Sequence, residues 1–151
     1  MKVNAIGAKG LSLIKQFEGL LLKPYKCPAG IPTIGYGATY YPNGCKVSMI
    51  DKAITEGQAS TMLMNMLKTY EKAVDSFCRD DINQNQFDAL CAFAYNVGIN
   101  ALKNSTLLKK VNANPQDVTI RNEFLKWNKA NGRALKGLTN RRTAEANLYE
   151  S

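Results

Sequence analysis

The chain of 151 residues contains no histidine. This absence excludes a Ser-His-Asp triad, a Cys-His dyad and any zinc site that uses imidazole ligands. If the protein is an enzyme, proton transfer must therefore fall to carboxylate, cysteine, lysine or tyrosine side chains. Internal repeats and low-complexity segments are also missing, and the shares of apolar (45%) and charged (21%) residues are typical of a soluble globular protein.

Acidic residues are scarce relative to basic ones, 12 against 20, which leaves a net charge of +8. This charge favours a polyanionic partner such as nucleic acid, an anionic membrane or an anionic cell-wall polymer, although a basic surface that only keeps the protein soluble would look the same. The basic residues are scattered and no recognition helix stands out, so we expect no nucleic-acid partner.

Long apolar runs are missing as well, including at the N-terminus, so we expect no signal peptide, no signal-anchor and no stable membrane insertion. The four cysteines form no CxxC pair, and we expect neither a metal site nor a cofactor. In a reducing cytosol Cys27 and Cys45 are expected to be thiols, and a disulfide between them is the alternative. Cys78 and Cys91 are expected in the core.

The distribution of turn residues predicts an α+β protein in which a small β-rich lobe follows a first helix and a helical lobe completes the chain. The first helix covers 8–19, and residues 20–50 have the texture of strands and turns, with a hairpin turn at 42–44. Two capping-box patterns open helices, Thr55-x-x-Gln58 and Asn83-x-x-Gln86. Helices are predicted at 56–77, 83–98, 105–113, 117–131 and 139–149, with Trp127 in the core.

Glu18 is the one acidic residue among the first 50 and precedes the apolar run Leu20-Leu21-Leu22. Partial burial raises the pKa of a carboxyl group and suits it to general-acid catalysis near neutral pH. The alternative is a surface glutamate that pairs with Lys15 or Lys23. Position alone leaves both interpretations open.

The segment around Glu18 reads FEGLLLKPYKCPAGIPTIGYG and contains Glu18, Cys27 and Thr33. It resembles the active-site segment of the phage-type lysozymes, glycoside hydrolase family 24. The resemblance extends through four further segments, at 41–59, 84–98, 105–112 and 124–142. Several motifs in the same order and at fitting spacing make this resemblance specific.

The resemblance implies a single lysozyme-like catalytic domain over 1–151, with two lobes and a cleft between them. The β-rich lobe would cover about 20–54, an interlobe helix about 55–77 and the helical lobe about 78–151, against which the first helix packs. The resemblance also implies the site residues. Glu18, Cys27 and Thr33 would be catalytic, Arg141 or else Arg142 would hold the acid in place, and the saccharide would be bordered by Tyr36, Gly37, Thr39, Tyr95, Asn96 and Thr106.

The implied reaction is hydrolysis of the β-1,4 bond between N-acetylmuramic acid and N-acetylglucosamine in bacterial peptidoglycan, with Glu18 as general acid. Much of the family has aspartate where this chain has Cys27, so Cys27 would have to act as a thiolate. A free thiol has a pKa of roughly 8.5, and Lys26 or Lys23 could favour its ionisation. Cys27 could be the base that activates water, a nucleophile, or a bystander in a lytic transglycosylase that works with Glu18 alone.

The family also implies a biological setting, that of an endolysin that lyses the host at the end of phage infection. We expect a monomer that accumulates in the host cytoplasm and is released to the cell wall when a separate membrane-permeabilising protein, a holin, acts. Two other classes of function remain open at this point. They are a non-catalytic cationic protein that binds the cell wall, and a membrane-active protein that works through an amphipathic helix at 117–131 or 139–149.

Overall fold

The computed structural model describes residues 2–151 and shows a mainly helical chain with two small antiparallel sheets. The predicted α+β class is therefore confirmed. In chain order the elements are α1 (Ala8–Glu18), β1 (Leu21–Lys26), β2 (Pro32–Gly35), α2 (Glu56–Phe77), α3 (Gln84–Val97), α4 (Ile99–Lys103), α5 (Thr106–Ala113), α6 (Ile120–Leu125), β3 (Lys129–Ala130), β4 (Arg133–Ala134) and α7 (Lys136–Glu150).

The chain divides into two compact units. The hairpin unit comprises residues 15–68 and the helical unit comprises residues 2–14 and 69–151. The boundaries fall inside α1 and α2, so both helices contribute residues to each unit. A single catalytic domain with lobe boundaries near 54 and 77 remains a prediction, as does the cleft.

Helix α1 ends at Glu18 because Gly19 adopts the left-handed conformation, with φ of +72°. The Gly19 N–H donates to the carbonyl oxygen of Lys15 at 3.1 Å, which closes the last turn. Residues other than glycine rarely adopt such a positive φ, and glycine is therefore the usual residue just after a helix. The predicted stop is confirmed, and it places Glu18 at the exact end of the helix.

Strands β1 and β2 form an antiparallel hairpin in which Tyr25 lies opposite Thr33 and Lys26 lies opposite Pro32. The five residues from Cys27 to Ile31 connect them. A small core supports the hairpin and contains Ile34, Ala38, Val47 and Met62, each at most 5% exposed.

Helix α2 starts where its capping box predicts. The Gln58 N–H donates to the Thr55 hydroxyl oxygen at 3.1 Å, and the Thr55 N–H donates to the Gln58 side-chain oxygen at 2.9 Å. Each bond satisfies a backbone donor that the first turn of a helix leaves without an intrahelical partner.

Helix α3 forms the centre of the helical unit. Its capping box between Asn83 and Gln86 is present as predicted, and it ends before Gly98, which has φ of +103°. Phe87, Leu90 and Cys91 are fully buried in a core that α5, α6 and α7 complete. Cys78 is also buried, so the predicted core positions of both thiols are confirmed.

The region from 114 to 139 differs from the prediction. The helix predicted for 117–131 is limited to α6, and a hairpin of β3 and β4 follows it. Asn131 and Gly132 both have positive φ, 52° and 77°, as a tight hairpin turn requires. Gly132 is therefore a turn residue rather than a helix stop. Helix α7 begins at Lys136, earlier than predicted, and the short α4 was not expected.

Trp127 is not the core residue that the helical pattern predicts. It follows the end of α6 and is 37% exposed. One side of its indole still contacts Phe93 edge-on, with ring centres 5.5 Å apart. The hairpin that replaces the predicted helix moves Trp127 off the buried stripe, because the helical spacing from Phe124 is not maintained.

Candidate active site

Glu18 is the last residue of α1 and lies in the hairpin unit. Its side chain is half-buried. Because α1 ends at Glu18 and β1 begins at Leu21, the residue stands where the helix passes into the hairpin. A carboxyl group is a side chain that can act as a general acid toward a bound molecule.

Cys27 begins the tight turn that joins β1 to β2. Its N–H donates to the carbonyl oxygen of Ile31 at 3.0 Å, and its own carbonyl oxygen accepts the Gly30 N–H at 2.7 Å. Gly30 has φ of +78°, a conformation that glycine adopts without strain. The Cys27 thiol is half-buried and forms no disulfide. The Cys45 thiol is exposed and forms no disulfide either.

Hydrogen bonds lower the pKa of the Cys27 thiol. The largest causes are donation from the backbone at Ile31 and at Ala29, followed by the Thr33 hydroxyl, while partial burial opposes them. Successive N–H groups that converge on one point favour an anion there. The sequence suggests Lys26 and Lys23 as the source of this effect, but the donors of the turn produce it instead.

Thr33 lies under the turn and is 3% exposed. Its hydroxyl donates to the carbonyl oxygen of Ile31 at 2.9 Å. A hydroxyl group has one hydrogen, so Thr33 can donate either to this carbonyl or to the thiolate of Cys27. Rotation of one bond moves the hydrogen between them, and ionisation of Cys27 favours the second arrangement.

Tyr25 connects the acid and the thiol electrostatically. Its pKa is raised, first by burial and then by the negative charges of Glu18 and Cys27. Both charges act on the same phenol, and Glu18, Tyr25 and Cys27 all belong to the hairpin unit. Tyr25 itself was not a predicted site residue. The one sequence feature that links it to the candidate site is its position on β1, two residues before Cys27.

Lys15 holds the helix turn that carries Glu18. Its ammonium group donates to the hydroxyl oxygen of Ser60 in α2 at 2.9 Å and lies 5.4 Å from the centre of the Tyr36 ring. Sequence reasoning assigned Lys15 no role beyond an ion pair with Glu18. Its spacing of three residues from Glu18 does place both side chains on one face of α1.

The predicted wall residues Tyr36, Gly37 and Thr39 follow β2 in the same unit. Tyr36 is 5% exposed and contacts Lys15, whereas Thr39 is half-buried. Gly37 has φ of +90° within the short reversal closed by two hydrogen bonds between Ile34 and Ala38. The three residues therefore belong to the same hairpin unit as Glu18, Cys27 and Thr33, and their contact with a saccharide remains a prediction.

Arg141 and Arg142 are buried in the helical unit. The Arg141 guanidinium contacts the Glu145 carboxylate at 3.1 Å and donates to the Ala92 carbonyl oxygen at 3.0 Å. The Arg142 guanidinium contacts the same carboxylate at 2.9 Å and the Asn96 side-chain oxygen at 2.6 Å. These contacts fix both arginines within their unit, and their predicted action on Glu18 remains a prediction.

The other predicted cleft residues of the helical unit are at least partly accessible. Asn96 and Thr106 are exposed and Tyr95 is half-buried. The Tyr95 ring contacts Tyr70 edge-on at 5.2 Å. Thr106 is the first residue of α5, directly after the N-cap Ser105. Their role in saccharide binding stays a prediction.

Two further features of residues 2–151 concern clusters of metal-ligating side chains and helices that could span a membrane. No group of three or more cysteine, aspartate or glutamate side chains is arranged there to hold a metal ion. Across the same residues, no helix combines the length and the apolar character that crossing a membrane requires.

Comparisons with known proteins give concordant results. The family model described as Phage lysozyme matches residues 15–145. The endolysin of Bacillus phage B103 is 43% identical over 149 residues, covering 95% of this chain and 53% of that protein. The endolysin of Acyrthosiphon pisum secondary endosymbiont phage 1 is 41% identical over 150 residues, covering 97% and 98% of the two chains.

Among solved structures, the endolysin from Escherichia coli O157:H7 phage FAHEc1 superposes with a TM-score of 0.89 and is 38% identical, covering 99% of this chain and 96% of that one. The chain thus spans about half the length of the Bacillus phage relative, and nearly the whole of the other two proteins.

Proposed function

Because the chain belongs to the phage lysozyme family, we propose that it is an endolysin that hydrolyses the β-1,4 bond between N-acetylmuramic acid and N-acetylglucosamine in peptidoglycan. Phage lysozymes are glycoside hydrolases of the muramidase type, so the predicted fold and enzyme class are confirmed at the level of the family. The bond, the residues that act on it and the lysis of a host belong to the proposal.

The observation that supports the proposal is the turn from Cys27 to Ile31, whose backbone donors favour an anion at residue 27 in the same compact unit as Glu18. Hydrolysis of a glycoside needs an acid that protonates the leaving oxygen and a second group that acts on the anomeric carbon. Glu18 provides the acid at the end of α1. The N–H donors of the turn favour the thiolate of Cys27 as the second group.

In the proposed mechanism the thiolate of Cys27 accepts a proton from a water molecule, which attacks the anomeric carbon while Glu18 protonates the leaving oxygen. The product then has the inverted configuration at the anomeric carbon. Thr33 supports the thiolate by donating its hydroxyl hydrogen once Cys27 is ionised. Direct attack by the sulfur would instead form a thioglycoside and retain the configuration. Action of Glu18 alone would give a 1,6-anhydro sugar.

The decisive experiment replaces the acid. Glu18→Gln should clear a suspension of chloroform-treated Gram-negative cells at least about a hundredfold more slowly than the parent, since an amide cannot donate the proton. Glu56→Gln is the matched control, because Glu56 is an exposed glutamate of the same unit. Clearance by Glu18→Gln at the parent rate would reject Glu18 as the acid.

Analysis of the released sugars separates the three chemistries. Hydrolysis adds one water to the product, whereas transglycosylation yields an anhydro sugar lighter by that water, and mass spectrometry distinguishes the two. Nuclear magnetic resonance of the newly formed product, recorded before mutarotation, gives its anomeric configuration and so distinguishes inversion from retention. Wall binding without any released sugar would favour a non-catalytic cationic protein.

The cellular setting is part of the same proposal. We expect a monomer that accumulates in the host cytoplasm and reaches the wall after a holin permeabilises the membrane. Expression in a Gram-negative host should leave the culture intact until chloroform is added, and lysis should follow within minutes of its addition. Sedimentation of the purified protein should give one species of the monomer mass.

A further inference from the structure

A pocket of about 370 Å³ opens in the hairpin unit beside the turn that carries Cys27. The turn and the start of β2 form one wall, and the stretch after β2 forms the other. The lining residues are Gly30, Ile31, Pro32, Thr39, Tyr40, Lys46 and Val47. The volume lies within the range of roughly 300–1,000 Å³ that is usual for small-molecule sites.

The second wall is a preformed structure. Tyr40 and Lys46 are partners in an antiparallel bridge, and the Val47 N–H donates to the Thr39 carbonyl oxygen at 2.9 Å. Residues directly opposite each other in such a pair project their side chains from the same face. The side chains of Tyr40 and Lys46 therefore leave the same face of this pair, and both residues line the pocket.

The exposed groups of the pocket combine an apolar surface with one cation. Tyr40 and Ile31 are each 49% exposed and line the same pocket, so their apolar surface is available to a ligand. Lys46 is exposed and forms no ion pair with any residue between 2 and 151. From Gly19 to Ile50 the sequence has no acidic residue that could neutralise it.

We propose that this Tyr40–Lys46 pocket binds the carboxylate-bearing part of the glycan strand, with the sugar against Tyr40 and the carboxylate at Lys46. The inference rests on the proposed function, because it takes peptidoglycan as the ligand. Two parts of that polymer carry a suitable carboxylate, the lactyl group of muramic acid and the stem peptide attached to it.

Ile31 couples the pocket to the candidate active site. Ile31 lines the pocket, and its carbonyl oxygen accepts hydrogen bonds from the Cys27 N–H and the Thr33 hydroxyl. A bound ligand that touches Ile31 thus contacts the residue that fixes the turn. The pocket accordingly assists in recognition of the acidic glycan and takes no part in the bond cleavage.

The test measures binding in the Glu18→Gln background, where turnover does not interfere. Three ligands are compared: soluble glycan fragments with stem peptides, the same fragments after an amidase has removed the stems and freed the lactyl carboxylate, and the uncharged tetramer of N-acetylglucosamine. Lys46→Gln should weaken binding of at least one charged ligand by about threefold and leave the tetramer unchanged. Lys52→Gln, an exposed lysine of the same unit outside the pocket, is the matched control.

Loss of binding with the stem-bearing fragments alone identifies the stem carboxylates, and loss with the trimmed fragments alone identifies the lactyl carboxylate. Tyr40→Ala should weaken all three ligands by about tenfold, and Tyr40→Phe should restore the binding. Unchanged binding of both charged ligands by Lys46→Gln, or an equal loss for the tetramer, overturns the proposal. Bond cleavage by the parent is assayed separately, so a parent that binds without cleaving contradicts the proposed function and not the pocket.

Discussion

The ammonium group of Lys15 lies over the ring of Tyr36, 5.4 Å from its centre, and also donates to Ser60. These contacts join the last turn of α1 to two other parts of the hairpin unit. Glu18 occupies that same turn, so the direction of its side chain depends on how firmly the turn is held.

Replacing Lys15 should therefore disturb Glu18 without touching the substrate. Lys15→Met should lower kcat several-fold at little change in KM and reduce the free energy of unfolding by about 1 kcal/mol, the value of a cation over an aromatic ring. Lys15→Arg should recover most of kcat. Lys9→Met on the exposed face of α1 is the control, and an equal loss of kcat in that variant would contradict the assignment.

Cys27→Ser should reduce the rate of peptidoglycan hydrolysis at least about a hundredfold, because a hydroxyl group does not ionise near neutral pH and a general base is lost. Cys27→Asp should keep substantial activity, since the N–H donors of the turn suit a carboxylate as well as a thiolate. The clearance assay measures both variants. Equal activity of the serine variant and the parent would identify Cys27 as a bystander.

The lowered pKa of Cys27 predicts a pH dependence with a definite sign. The thiolate is present above the lowered pKa and is lost as the pH falls through it, so activity that needs the thiolate declines toward acidic pH. In a Cys45→Ser background, alkylation by iodoacetamide should reach half its maximal rate at a lower pH than alkylation of N-acetylcysteine.

Thr33→Val should raise the pH at which the rate of alkylation is half-maximal, the midpoint, because it removes one hydrogen-bond donor to the thiolate. Thr61→Val removes an exposed hydroxyl from α2 and should leave the midpoint unchanged. A midpoint that is equal in the parent and in Thr33→Val would show that the backbone donors act without the hydroxyl.

Glu145 offers a test of stability in the helical unit. Its carboxylate contacts the guanidinium groups of Arg141 and Arg142, and all three side chains are at most 4% exposed. Glu145→Gln should lower the free energy of unfolding by about 3–5 kcal/mol, since it leaves buried positive charge without its counter-charge. Glu150→Gln, which removes an exposed pair with Arg121, should cost about 1 kcal/mol or less, as measured by chemical denaturation.

Local signals predicted most of the helices well. The capping boxes at Thr55 and Asn83 and the stop at Gly19 each involve short-range hydrogen bonds or a single backbone angle, which residue type largely determines. The helix predicted over 117–131 failed because Asn131-Gly132 also favours a hairpin turn, and this turn prevailed over the helical spacing. The sequence alone does not reveal whether the helical spacing or the hairpin turn prevails in the folded chain.

The candidate site was predictable only in part. The spacing of Glu18, Cys27 and Thr33 indicates a site because of the family that it resembles, and all three residues belong to the hairpin unit. The largest donors that lower the pKa of Cys27 come from the backbone at Ile31 and Ala29, so no side-chain pattern predicts them. For the same reason the lysines near Cys27 suggested the wrong cause.

The turn from Cys27 to Ile31 has a consequence for how this enzyme family can vary. Main-chain donors are present whatever side chains surround them, so the turn should favour an anion at residue 27 in a Cys27→Asp variant as well. The exchange is not neutral in every environment, because a half-buried thiolate is open to peroxide and an aspartate is not. The cysteine at this position thus gives the chain a susceptibility to oxidants that the Cys27→Asp variant should escape.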